Sequence, residues 1–300
     1  MGFIVLNVRT MTAVLGDIKL AHTVFALPFA LMAVVLALSE VQPTPDDIVR
    51  QTLLVVVCMF GARTWAMAIN RWADAHFDKL NPRTSARALP AGRASSKAML
   101  GLALFGAVLF VMGAALLSPL ALACALPVLG ILASYSFAKR ATVLCHFWLG
   151  LCLGLAPMAA WLAIRGTIHP PLVTLGTAIL FWVGGFDIVY ALQDMDFDRR
   201  LGLRSLPAAF GTERALQLAR AAHAAAVVLF AIAFVQLGLG PIALAGVGLA
   251  GVLMLWQHIA IARHGHHAIP FAFLQLNAWV AIGMFATVLL DITFRKGLLS

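Results

Sequence analysis

The sequence predicts an all-α fold, a polytopic membrane bundle of about nine transmembrane helices. Three observations predict it. The chain has 300 residues, of which 62% are apolar and 11% charged, against about 45–50% and about 25% in soluble domains. The apolar residues gather into runs of about 20, the length of helix that crosses a bilayer core. The basic residues fall unequally on alternate connections, as they do in a chain threaded through a membrane.

The opening MGFIVLNVRT lacks the n-region, h-region and cleavage site of a signal peptide. It starts Met-Gly, but Leu6 stands where a myristoylation signal needs Ser or Thr. The first span, 18–39, is therefore expected to be a retained signal anchor. The turn SEVQPTPD (39–46) follows, with Asp46 a candidate helix N-cap. Span 2 (47–69) ends in a long polar connection, 70–96. Spans 3 and 4 (97–117 and 119–137) lead to the minimal connection Lys139-Arg140 and span 5 (142–164). Span 6 (172–192) ends in a second long polar connection, 193–215. Spans 7 and 8 (216–237 and 240–262) are followed by RHGHHAI (263–269). This stretch holds three histidines with no acid or cysteine beside them, and it reads as a solvated interfacial loop. Span 9 (268–292) completes the set. Cys58, Cys124, Cys145 and Cys152 lie inside apolar runs as packing residues, with no disulfide framework.

The net charge of +9 is not a nucleic-acid footprint. With the N-terminus inside, the cytoplasmic segments hold Arg9, Lys19, Arg71, Lys79, Arg83, Arg87, Arg93, Lys97, Lys139, Arg140, Arg199, Arg200, Arg204, Arg214, Arg220 and Arg263. The opposite face holds Arg50, Arg165, Arg295 and Lys296, and Arg63 lies within a span. The bias sets the N-terminus inside and the C-terminus outside.

Six of the twelve carboxylates fall in two clusters at the cytoplasmic ends of spans 2 and 6. Asn70, Asp74 and Asp78 are four apart and share a helix face. Asp187, Tyr190, Asp194 and Asp198 follow 3, 4, 4 spacing, with Asp196 between the last two. Carboxylates beside hydrocarbon are costly and point to function. All-oxygen clusters without Cys or His suit magnesium or manganese rather than zinc, and the two clusters suggest one shared divalent-metal site. Arg71, Lys79, Arg83, Arg87, Lys139, Arg140, Arg199 and Arg204 stand beside them and could neutralise a diphosphate. Arg63 is two turns deeper than Asn70, either facing the bundle interior as a ligand or pairing helices. Tyr190 and Tyr135 are each either site residues or members of the aromatic belt. His22 and His76 read more simply as packed or interfacial histidines. Both long connections continue into basic stretches with Pro and Gly, NPRTSARALPAG and RRLGLRSLPAAFG. This hints at a two-half repeat, about 1–140 and 141–262. Repeats also occur in transporters, and paired acids can relay ions. A cation-coupled transporter is thus the competing class. Against it, no acid lies mid-span, and basic residues crowd the acids.

The two acidic motifs, with Asn81-Pro-Arg-Thr…Arg87…Leu89-Pro-Ala-Gly92, Tyr135…Lys139-Arg140 and Gly202…Ser205…Pro207…Gly211, resemble the paired signatures of UbiA-type intramembrane prenyltransferases. Lys19-x-x-His22-Thr…Phe-Ala-Leu-Pro28 is similar to the 4-hydroxybenzoate polyprenyltransferase branch, which includes relatives of the menaquinone futalosine-route enzyme. The resemblance covers essentially all of 1–300 as a single transmembrane prenyltransferase domain. It implies nine helices around a central cavity, a cytoplasmic polar cap holding diphosphate and two Mg2+ ions (Mn2+ as an alternative), and an apolar tunnel for the isoprenoid. By that resemblance Asn70, Asp74, Asp78, Asp194 and Asp198 are metal and diphosphate ligands. Lys139 and Arg140 contact diphosphate or the acceptor's carboxylate, with Arg63, Arg71, Arg83, Tyr135 and Arg204 also lining the substrate site. Asp187 and Tyr190 face the aromatic acceptor, and Asp187 or Asp194 takes or relays a proton. Two departures stand out. Arg71 replaces the Asp that many members have after Asn70, and Phe197 replaces an acid before Asp198, leaving Asp196 without a clear role.

The implied reaction moves a polyprenyl group from its diphosphate to an aromatic acceptor in quinone biosynthesis. The acceptor is 4-hydroxybenzoate first, or else a menaquinone-pathway acceptor of the futalosine route. The implied setting is the inner membrane of a prokaryote, with the active site cytoplasmic and no obligate protein partner. For topology, reporter fusions at 80 and 205 are expected to read inside and one at 300 outside. An inside signal at 300 refutes the assigned threading.

Overall fold

The computed structural model describes residues 25–41 and 43–295. It is all helical, with no strand among those residues. The helices in order are α1 (Leu27–Ser39), α2 (Pro45–Ala73), α3 (Ala75–Leu80), α4 (Ser96–Leu117), α5 (Pro119–Ala141), α6 (Cys145–Arg165) and α7 (Pro170–Ala191). A 3-10 turn (Leu192–Asp194) leads to α8 (Met195–Arg200), then α9 (Leu206–Gln236) and α10 (Pro241–His264). A 3-10 turn, one α turn and a π turn (Ala272–Leu276) precede α11 (Asn277–Arg295).

Local chemistry sets the boundaries. Proline opens α2, α5, α7 and α10 at the first turn, where its missing N–H costs nothing. Ser95 and Ser205 cap α4 and α9, their hydroxyls accepting from Ala98 N (3.1 Å) and Ala208 N (3.3 Å). Thr44, not the expected Asp46, caps α2. Its Oγ1 accepts from Asp47 N at 3.2 Å and donates to the Asp47 carboxylate at 2.8 Å. Asp46 lies in the first helical turn instead, where its charge complements the helix dipole.

Seven described helices are long and apolar enough to cross a membrane, against the nine expected. Two causes account for the difference. The expected span 18–39 is described only from Leu27 as 13 helical residues. The expected spans 240–262 and 268–292 correspond to α10 and α11, which pack against each other across a break at Gly265 (φ 57°, ψ −141°), but the 3-10, α and π turns between them leave no loop, so Pro241–Arg295 counts once. The three histidines of 263–269 therefore sit mostly in a 3-10 turn, and they are exposed. Arg9, Lys19, His22 and Lys296 lie outside the described residues.

The described chain forms two compact units, residues 56–137 and residues 25–55 with 138–295. In the first, the connection after α3 folds back so that Ala88 and Ala94 pack with Ala68, Ile69, Met99 and Ala103. Small residues bring α2 and α4 together. A Cβ on Gly61 would lie 2.8 Å from Gly106 O, and one on Gly106 would lie 2.6 Å from Trp65 N. In the second unit α7 is the central helix, packed on α6 and α9, with Trp182 and Phe186 fully buried. The α6–α7 crossing is equally close. A Cβ on Gly150 would lie 2.3 Å from Leu180 O, and one on Gly154 would lie 2.4 Å from Gly176 O. Such small-residue faces let membrane helices approach backbone to backbone.

Gly150→Ala should therefore force α6 and α7 apart, at about 1–3 kcal/mol for an overpacked contact. Gly248→Ala, where a Cβ meets nothing within 4 Å, should not. Thermal unfolding in detergent checks the pair; equal midpoints for both variants refute the close crossing.

Candidate active site

Each acidic motif is built as a helix, a break at an aspartate, and a six-residue helix. In the first unit α2 ends at Ala73, and Asp74 has φ −90°, ψ 3° before α3 begins. Backbone bonds from Asp74 N to Asn70 O (2.9 Å) and from Asp78 N to Asp74 O (2.8 Å) carry the four-residue spacing through the break. Asn70 Nδ2 donates to Asp74 Oδ2 at 2.9 Å, and its Oδ1 accepts from Arg71 at 2.8 Å. Asn70 and Arg71 are both buried. Arg71 thus occupies the departure position of the motif by orienting Asn70. Arg63 lies within electrostatic reach of Arg71 and Tyr135, which fits an inward arginine. Asp78 is buried, and both its oxygens accept from Arg87 Nη1 at 2.7 Å. Arg83 is exposed, with its backbone N–H held by Asn81 Oδ1 at 3.0 Å.

The second unit repeats this local plan. The helix breaks at Asp194 (φ −107°, ψ 4°) and α8 follows. Its last acid, Asp198, has no exposed side-chain surface. Lys139 Nζ stands 2.8 Å from Asp198 Oδ1, and the Ser205 hydroxyl donates to Oδ2 at 2.8 Å. Asp194 is buried and within electrostatic reach of both Asp198 and Lys139. Asp196 is exposed on the other side of α8.

The basic residues divide by task. Arg204 braces the backbone, its N–H donating to Lys139 O and its guanidinium to Ala141 O, each at 2.7 Å. Arg199 donates through Nε to Ala208 O at 2.9 Å. Arg140 is exposed in the last turn of α5. Among the described residues no three His, Cys, Asp or Glu side chains converge as a metal nest.

One turn or more before these acids, α7 carries Asp187 and Tyr190. Tyr190 packs against Phe273 with ring centroids 4.3 Å apart and the ring planes tilted by 34°. Phe273 also meets Phe25 and Phe186 at 5.5 and 5.4 Å. Tyr190 is therefore part of an aromatic cluster, not of an interfacial belt. Phe273 belongs to the π turn, and Asn277 Nδ2 donates to the carbonyls of Ala272 and Phe273, both at 3.1 Å. Asn277 Oδ1 in turn accepts from Trp182 Nε1 at 3.0 Å. Single π turns recur at functional sites. Asp187 Oδ2 is 2.7 Å from His146 Nδ1.

Sequence reasoning missed His146 and the Phe25–Phe186–Phe273 cluster. A signal for His146 existed: it is a polar residue inside an apolar run, the same warning that marks the acids. Phe273 had none, because its direction depends on a π turn that no residue pattern announces.

This is an integral membrane helical protein with two acidic helix-break sites, a basic partner at Asp78 and at Asp198, and an aromatic cluster that includes Phe186 and Tyr190 of the helix that carries Asp187. A family model for the UbiA prenyltransferase family matches residues 26–289. The chain belongs to the UbiA prenyltransferase family. It is 33% identical over 240 residues to the 4-hydroxybenzoate octaprenyltransferase of Cupriavidus necator, covering 78% of this chain and 81% of that one. It is 30% identical over 238 residues to the enzyme of the same name from Methylobacillus flagellatus, covering 79% and 80%. Among solved structures, a UbiA homolog from Aeropyrum pernix K1 matches with TM-score 0.81 and 34% identity, covering 91% of this chain and 99% of that one. A UbiA homolog from Archaeoglobus fulgidus bound to DMAPP and Mg2+ shares the fold at 22% identity, with TM-score 0.68 and coverage of 92% and 98%.

Because Asp198 is fully buried, Lys139→Met should leave its charge with Ser205 alone. We expect a loss of about 3 kcal/mol, the lower end for breaking a buried pair, since Lys139 is itself 33% exposed. Adding Asp198→Asn should recover part of that loss. A double-mutant cycle on unfolding midpoints measures the coupling; additive losses would deny it.

Proposed function

We propose that this protein transfers a polyprenyl group from its diphosphate to an aromatic acceptor in quinone biosynthesis, with 4-hydroxybenzoate as the acceptor. The observation that carries the reading is that one helix, α7, carries Asp187, hydrogen-bonded to His146, together with Phe186 and Tyr190, both of which pack on Phe273. A carboxylate and aromatic rings carried on one helix suit a step that joins an allylic cation to an electron-rich ring and then removes a proton. The names of the relatives at about 30% identity support the acceptor class. We assign residues 1–300 to one transmembrane domain with the site on the cytoplasmic side, as the positive-inside bias indicates.

The donor set fits magnesium. Asn70, Asp74 and Asp78 on one motif and Asp194 and Asp198 on the other are all oxygen ligands. They occur as small groups rather than closed nests, and magnesium binds through one or two carboxylates completed by water and substrate phosphates. We assign two ions to these residues. When bound, magnesium supplies Lewis-acid stabilisation of the departing diphosphate.

The chain's own residues do the rest. Arg87 and Lys139 meet the charge of Asp78 and Asp198 until the polyanion arrives, then can turn to it. Arg63, Arg71 and Arg140 add positive charge, and Arg71 keeps Asn70 oriented. Arg204 acts by holding the 204–206 segment against the end of α5. The aromatic faces of Tyr190 and Phe273, backed by the buried Phe186, stabilise an allylic cation by cation–π attraction and exclude the water that would quench it. Asp187 takes the proton that the ring loses.

Purified protein, given magnesium, a labelled polyprenyl diphosphate and a panel of phenolic and naphthoic acids, should prenylate 4-hydroxybenzoate and stop in excess EDTA. Asp74→Asn and Asp194→Asn should each lower the rate by about two to four decades, the equivalent of about 3–5 kcal/mol for a lost buried charge contact. Phe197→Leu should cost far less. Turnover in EDTA without added divalent ion would exclude the metal role. Failure to release diphosphate, with divalent-ion flux in proteoliposomes that both Asp variants abolish, would establish a transporter instead.

A further inference from the structure

We propose that His146 is a positioning residue for prenyl transfer. It holds Asp187 so that one carboxylate oxygen is fixed and the other is free to receive the proton released by the acceptor ring. The proposal rests on the reaction proposed above.

The hydrogen bonds determine the state of the ring. His146 Nε2 is 3.3 Å from Leu206 N. A backbone N–H can only donate, so Nε2 is the acceptor and carries no proton. Nδ1 is then the protonated nitrogen of the neutral ring, and it donates to Asp187 Oδ2 at 2.7 Å. The partner at one ring nitrogen thus fixes what the other nitrogen does. The ring side chain is 2% exposed and the Asp187 carboxylate 23% exposed. The imidazole is therefore the inner member and the carboxylate the outer one. Asp187 Oδ1 makes no hydrogen bond to the described residues.

The anchor is firm at three points. His146 stands in the first turn of α6, four residues before Gly150, on the face where Gly150 and Gly154 bring α6 against α7. Leu206 is the first residue of α9, directly after the cap Ser205, which also holds Asp198. Cys145, next to His146, donates through Sγ to Arg204 O at 3.4 Å. Asp187 cannot swing away from the acceptor side without leaving a buried N–H unpaired.

The step served is balanced. The allylic C–O bond breaks, and its electron pair leaves on the diphosphate. A π pair of the acceptor ring forms the new C–C bond. The C–H pair at that carbon returns to the ring, and the proton passes to Asp187 Oδ1 and then to water.

Two near-isosteres separate positioning from a purely structural pin. His146→Asn keeps a donor at the place of Nδ1 and loses the bond to Leu206. His146→Gln keeps an acceptor at the place of Nε2 and loses the bond to Asp187. Steady-state kinetics with 4-hydroxybenzoate and a polyprenyl diphosphate, alongside thermal midpoints, should give His146→Asn a kcat within about threefold of wild type. His146→Gln should lose about a hundredfold in kcat, the scale of a displaced catalytic group, with KM for the diphosphate unchanged. In an Asp187→Asn background, His146→Gln should cause no further loss. The reverse order of the two variants, additive losses with Asp187→Asn, or unfolding of both variants would overturn the proposal. A wild-type protein that prenylates no acceptor would instead overturn the reaction, and this proposal with it.

Discussion

A carboxylate withdrawn from water must be answered by a cation or by hydrogen bonds, and the polar architecture of this protein follows from that constraint. Asp78, Asp198 and Asp291 are all buried in a chain that is mostly hydrocarbon. Each has its answer from a residue placed by secondary structure. Arg87 comes from the turns after α3, Lys139 from the last turn of α5, and the Gly240 N–H, at 2.7 Å from Asp291 Oδ2, from the start of α10. The price is a set of helix ends that cannot move independently. Arg204 ties the 204–206 segment to α5, Ser205 ties it to Asp198, and His146 ties it to Asp187.

The same constraint explains what the sequence made legible. Charged residues are rare here, so their positions carry nearly all the information. Asn70, Asp74, Asp78, Asp187, Asp194 and Asp198 were readable because each stands against an apolar background at helical spacing. Apolar residues carry less. Nothing in nineteen phenylalanines marks Phe25, Phe186 and Phe273 as one cluster. The polar gap at 263–267 was legible too: α10 ends at Gly265, but the connection to α11 is made of 3-10, α and π turns rather than a loop, which no residue pattern announces. The cap of α2 was misassigned by two residues, because Asp46 and Thr44 are both acceptable caps and only geometry chooses between them.

The two acidic motifs share more than spacing. Each has an aspartate with ψ near zero at a helix break, then a six-residue helix, then a buried aspartate, then a glycine with positive φ (Gly92 at 71°, Gly202 at 66°) and a serine cap. Every step has a local cause. The break lets the chain turn at the membrane surface while the four-residue spacing persists. The glycine supplies a left-handed conformation that an L side chain resists. The serine restarts a spanning helix. The partners differ, however: Asp78 meets an arginine from its own connection, and Asp198 meets a lysine from another helix.

That difference bears on how the two motifs can work. The Asp78–Arg87 pair closes within nine residues of chain and needs no other helix to form. The Asp198–Lys139 pair forms only when α5, α8 and the start of α9 are assembled, and His146 adds α6 and α7 to the same junction. The second motif therefore reports on the packing of its whole unit, whereas the first is a local module. A disturbance at the α6–α7 glycine crossing should reach Asp187 through His146 before it reaches Asp78. Long-range sensitivity is thus concentrated in the motif that carries Asp187.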